Sequence, residues 1–184
     1  VTEREEYLSP KAHPVVFDGA EIHLERLAGM AHDMQTNRLP PFAAIRVTSE
    51  DSALPGIDYC DTASGEGLFD SPAAIARVVR GMRYRRRMTL DATGSRDPGN
   101  KPLSWHWFVL RGDPDKIRIS PLAPDNSAVE IDVAYHGGGF LVDAGSGLRS
   151  SRVEIALCVD NGTYFSPPAF VTLYYLSNEI RTYS

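Results

Sequence analysis

Six arginines crowd one short stretch of the chain: Arg77, Arg80, Arg83, Arg85, Arg86 and Arg87. A guanidinium is a planar fork of donors suited to phosphate, sulfate and carboxylate. Clustered in this way, the arginines suit an anion site for phosphate, a sulfated sugar or nucleic acid, with Arg83, Arg85 and Arg86 as its ligand-binding residues. The competing reading is a solvated face paired with the acidic residues Glu50, Asp51, Asp58, Asp61 and Glu66. The stretch lacks the run of interleaved aromatics of a nucleic-acid face, no nucleic-acid motif is present and the net charge is −5. No nucleic-acid partner is therefore expected.

A second group is acidic. Asp91, Asp97 and Asn100 flank a turn-rich run, where hard oxygens could converge with backbone carbonyls on a calcium ion. The same residues also serve as ordinary turn formers that bond their own backbone. Tyr164 and Phe165, with Tyr174, are aromatics placed near a hairpin where a sugar ring could stack. Trp105 and Trp107 share one face of a strand and are expected in a core instead.

Catalytic patterns are missing. There is no Gly-x-Ser-x-Gly elbow, and glycines 137–139 and 145–147 lack the phosphate-loop spacing. His13, His23, His32, His106 and His136 contain no metal-binding pair beside a glutamate. Asp18, Glu21 and the Asp58/Asp61 pair are the only acidic groupings on offer for acid/base work, and helix capping already explains the first two. No catalytic residue is assigned. Arg111-Gly-Asp113 and Asn161-Gly-Thr163 are short enough to match adhesion and glycosylation signals by chance. Cys60 and Cys158 are either bridged or two ordinary thiols.

These residues need a scaffold. Residues 1–17 read as a charged, proline-containing arm that lies along the body through Val15, Val16 and Phe17. Asp18 and Glu21 open a helix over residues 19–36, with Leu24, Leu27, Ala31 and Met34 at helical spacing. Residues 42–47 have strand character, and 49–69 read as a polar connection. Ser71-Pro72 has the form of a second helix start. Ile75, Val78, Val79 and Met82 then give that helix an apolar stripe to about Gly81.

From Met88 the period changes to two. Met88, Leu90 and Ala92 alternate with polar residues, and 94–102 is a turn. Leu103, Trp105, Trp107 and Val109 alternate next, followed by strands at 116–119, 128–135 and 153–159. Asn161-Gly162 has the form of a two-residue hairpin turn, and Phe170–Tyr175 reads as an edge strand after Pro167-Pro168. Short strands at regular spacing predict an antiparallel β-sandwich. No run is long and apolar enough to cross a bilayer, so no membrane insertion is expected.

Leu90-Asp-Ala-Thr-Gly-Ser-Arg-Asp-Pro98, Pro102-Leu103 and Trp105-His-Trp107, followed later by Arg152-Val-Glu-Ile-Ala-Leu-Cys-Val-Asp160, resemble the PKD-type immunoglobulin-like repeat over about residues 87–176. The chain departs from the family's usual Gly-Asp-Gly after the tryptophan. The resemblance implies a mainly β, immunoglobulin/PKD-like sandwich at 87–184 behind an extension, 1–86, holding two short helices. It also implies a noncatalytic module of a bacterial surface, secreted or periplasmic protein. Such a module acts as a spacer or binds another protein domain or a polysaccharide, without a cofactor unless calcium is bound. The alternative is the C-terminal part of a secreted hydrolase, nucleoside-hydrolase-like or glycan-processing. Self-association through the 170–175 edge is a third expectation.

Overall fold

Period-two alternation governs most of the chain in the computed structural model, which describes residues 3–16, 19–35, 38–60 and 65–183. Four strands form an antiparallel sheet in the order β1 (Arg46–Glu50), β4 (Arg85–Asp91), β7 (Ala128–Ala134), β6 (Ile117–Pro121). Five form a mixed sheet in the order β2 (Gly67–Ser71), β3 (Ala74–Val79), β11 (Ala169–Tyr175), β10 (Arg152–Asp160), β5 (Ser104–Arg111). The pairing of β3 with β11 is parallel and the others are antiparallel. β8 (Phe140–Asp143) and β9 (Leu148–Ser150) make a separate two-stranded hairpin from the glycine-rich stretch.

Alternate residues of both sheets meet in one core. Met88 and Leu90 of β4 and Val129, Ile131 and Val133 of β7 pack with Val153, Ile155, Leu157 and Val159 of β10 and Val171 and Leu173 of β11. Trp105 and Trp107 pack against this core as expected. Their indole N–H groups donate to the carbonyls of Ala92 at 3.1 Å and Asn126 at 2.9 Å, so the burial leaves no donor unpaired.

The second expected helix is a strand. The spacing of Ile75, Val78 and Val79 fits a helix face, but the buried residues of β3 are Ile75, Arg77 and Val79, a period of two. β-branched side chains favour the extended form, and pairing on both sides decides it. Ser71 serves the hairpin between β2 and β3, its Oγ accepting the Ala74 N–H at 3.1 Å. Residues before 87 therefore contribute β1, β2, β3 and the start of β4 to the two sheets.

The first expected helix is shorter, α2 at Leu24–His32, and has no side-chain cap bond. The Asp18 cap and the Asn37 stop lie outside the described residues. α2 buries none of its residues, and Leu24, Leu27 and Met30 are each more than half exposed. A one-turn helix, α1 (Arg4–Tyr7), lies in the arm.

Two features of the last hairpin region also differ. β11 is an interior strand held by β3 and β10, so Phe170–Tyr175 offers no free edge for self-pairing. Asn161 is buried, and its side-chain oxygen accepts the N–H groups of Thr163 at 3.0 Å and Tyr164 at 2.8 Å. This side-chain turn, with Gly162 at φ 81°, shapes a longer loop instead of the tight two-residue turn.

Candidate functional site

Strand alternation carries two arginines to the core side. Arg77 lies between Ile75 and Val79 on β3, and Arg86 precedes Met88 on β4. Both are nearly fully buried. A buried charge must be paired, and the partners come from β1, from the connection before β2 and from β2 itself. Arg77 donates to Glu50 at 3.1 Å and to Asp70 at 2.7 Å. Arg86 donates to Glu66 at 2.6 Å and to Glu50 at 2.8 Å. Glu50 thus joins the two arginines, which belong to different sheets.

Glu66 also organises the connection around it. Its carboxylate accepts the N–H groups of Ala53 at 2.9 Å, Arg80 at 2.8 Å and Gly81 at 3.2 Å. Burial alone would raise its pKa. The Arg86 bond and the backbone donors outweigh burial and hold the carboxyl below its ordinary range. Asp58 does similar work on a smaller scale, accepting from Leu54 N at 2.7 Å and Met82 N at 3.1 Å, and these bonds lower its pKa.

This network floors an open cleft of about 500 Å³, walled by Tyr59, Leu68, Phe69 and Asp70. Phe69 and Asp70 are mostly exposed. A smaller cleft of about 190 Å³ adjoins it through Ser52 and Arg86, and it gathers Arg83, Arg85 and Arg86. The three expected ligand-binding arginines are therefore brought together, but each already meets a carboxylate. Arg83 pairs with Asp51 at 3.2 Å and Arg85 with Asp132 at 2.8 Å. The pairing with Glu50, Asp51 and Glu66 matches part of the competing sequence reading, but Arg77 and Arg86 are buried and not on a solvated face, and Asp70 and Asp132 join as further partners. Asp61 lies outside the described residues.

The other expected residues lie elsewhere. Phe165 is covered by the arm: Tyr7 stacks on it at 5.4 Å, His106 meets it edge-on and the Arg4 guanidinium sits 4.5 Å above it. Tyr164 is exposed, with its backbone held by Asn161. The proposed calcium residues have separate partners. Asp91 accepts from Arg46 Nε at 2.9 Å and Thr93 N at 2.8 Å. Asp97 accepts from Asn161 Nδ2 at 2.7 Å and from the Gly99 and Lys101 N–H groups. Asn100 takes the left-handed turn conformation at φ 55°. Turn chemistry accounts for all three, and no group of three or more His, Cys, Asp or Glu among the described residues is placed to hold a metal.

Sequence reasoning did not single out Tyr59, Leu68, Phe69 or Asp70. Their signal is slight, because a short strand with exposed apolar residues resembles a loop. Cys60 and Cys158 are both free, the first exposed and the second buried.

No protein-family model and no curated protein matches the chain. Among solved structures it is similar to a nucleoside hydrolase-related hypothetical protein from Saccharophagus degradans that is associated with carbohydrate metabolism, at 20% identity and a TM-score of 0.35. The match covers 49% of this chain and 20% of that one, so it spans about a fifth of that protein's length. At that score the likeness carries no argument.

Proposed function

We propose that the chain is a noncatalytic binding module of a larger protein, an immunoglobulin/PKD-like sandwich whose Glu50–Arg77–Asp70 cleft takes a neutral, hydroxyl-rich ligand such as a glycan. The carrying observation is the charge balance of the cleft floor. Arg77 and Arg86 meet three carboxylates there, Glu50, Glu66 and Asp70. That floor does not attract an anion. It does present fixed donors and acceptors beside the exposed Leu68 and Phe69, the mix of polar groups and apolar wall that suits a sugar. The two sheets around one core and the inward Trp107 support the sandwich kinship.

The hydrolase alternative needs two carboxyls with divergent pKa values, one of them keeping its proton near neutrality. Glu50 and Glu66 share Arg86, and Glu66 is held ionised. This favours binding over acid/base catalysis.

The test is a panel of neutral oligosaccharides scored by thermal shift and calorimetry on the wild type, Phe69→Ala and Asp70→Asn. A ligand at ~100 times its dissociation constant adds about 2.7 kcal/mol to stability. Binding that is lost in both variants, with their unliganded melting unchanged, supports the reading. A panel without a binder, or a binder indifferent to both substitutions, overturns it.

A further inference from the structure

A second cavity, of about 490 Å³, lies on the outer face of the five-stranded sheet. It shares no residue with the cleft described above. Alternation along β10 puts Arg152 and Glu154 on this face. A bulge opposite Glu154 brings Arg111 of β5 beside it. Ala74, Ala76, Leu110, Phe170 and Tyr174 supply an apolar wall, and His13 and Pro14 of the arm close one side.

The charges here do not balance. Among the described residues Glu154 is the only carboxylate lining the cavity, and it is shared by two arginines. Arg111 contacts it through Nη1, and the Arg152 Nε lies 3.0 Å from Oε1. Arg111 and Glu154 are nearly buried, whereas Arg152 is 30% exposed towards the opening. The buried Arg111 Nε has no acceptor, and its Nη2 reaches only the His13 carbonyl at 3.3 Å. A buried triad with one uncompensated positive charge is costly, and a second carboxylate offsets that cost. Planar guanidiniums bind such a group through paired hydrogen bonds.

We infer that this cavity binds a small carboxylate carried on a flat apolar body, the carboxylate meeting Arg152 and Arg111 and the body lying along Ala76, Phe170 and Tyr174. An aromatic acid and an acidic sugar share this chemistry, the sugar through the apolar face of its ring. The inference is independent of the glycan reading of the cleft.

The experiment titrates the full chain with benzoate and with glucuronate, following backbone amides by NMR, with benzyl alcohol and glucose as uncharged controls. Saturable shifts centred on Ala76, Leu110, Arg152 and Tyr174 are expected for at least one acid, and the one that binds identifies its source. Ala76→Leu fills the cavity and abolishes these shifts. Arg152→Gln weakens binding by about tenfold or more. Glu154→Gln removes the competing carboxylate and tightens binding, an effect that a purely structural triad does not produce. No saturable shift with either acid, in the wild type and in Glu154→Gln, overturns the inference. So does benzyl alcohol binding as well as benzoate.

Discussion

Arg86 and Glu66 face each other at 2.6 Å, each with no more than 7% of its side chain exposed. The pair holds β4 to the connection before β2. Breaking a buried pair strands a charge and costs about 3–5 kcal/mol. Glu66→Ala also frees the N–H groups of Ala53, Arg80 and Gly81. Urea unfolding of Glu66→Ala is expected to show a loss in that range. A loss below ~1 kcal/mol means that the pair behaves as a surface bridge.

Stability falls with acid through His136. The ring is buried; its Nδ1 lies 2.7 Å from the Ala134 carbonyl, and its Nε2 accepts the Asp113 N–H at 3.1 Å. That arrangement requires the neutral ring. Burial lowers its pKa, with Lys116 adding to the shift and the Ala134 bond and Asp113 opposing it. The unfolded chain titrates near the ordinary ~6.5 and so binds the proton more readily. The contribution is full above about pH 6.5 and is lost as pH falls towards the folded value. Melting temperature is expected to drop as pH falls below the ordinary ~6.5, with a smaller slope in His136→Gln. Equal slopes in the two proteins contradict this account.

Gly112 is constrained in two ways. Its φ is +122°, and an added Cβ would stand 2.8 Å from Ile117 Cδ1 and 3.3 Å from Val153 Cγ2. Gly162, at φ +81°, has open space around it. Gly112→Ala combines backbone strain with overpacking and should cost about 2–4 kcal/mol. Gly162→Ala carries the strain alone, about 1 kcal/mol. Paired denaturation curves check the order, and equal costs show that the contacts around Gly112 relax freely.

The Cys158 thiol is shielded by the arm. It is fully buried on the outer side of β10, and burial pushes its pKa to about 12. Tyr7, stacked on Phe165 and donating to the Ser166 carbonyl at 3.1 Å, helps to hold the arm down, as does the Arg4–Asp160 ion pair. A thiol reagent should label Cys60 quickly and Cys158 slowly. Tyr7→Ala should speed Cys158 labelling by tenfold or more, the ratio set by ~1.4 kcal/mol of lost contact. An unchanged rate places the barrier in the sheet instead of the arm.

The alternation in 88–92, 128–134 and 153–159 determined those strands, their inward faces and the mainly β class, because side-chain direction in a strand is a local, period-two property. Of the arginines' acidic partners, Glu50, Asp51 and Glu66 were named, whereas Asp70 and Asp132 were not. The identity of β3 was not legible, since the four-residue spacing of Ile75 and Val79 fits both periods and only pairing with β2 and β11 selects one. The bond from Arg86 to Glu50 spans 36 positions, and that from Arg77 to Glu50 spans 27. The meeting of Arg111, Arg152 and Glu154 depends on a bulge and on strand register. Local pattern determined which residues point inward, whereas tertiary pairing decided which charges meet, because a charge is neutralised by whatever the fold brings within a few ångströms and not by its neighbours in the chain.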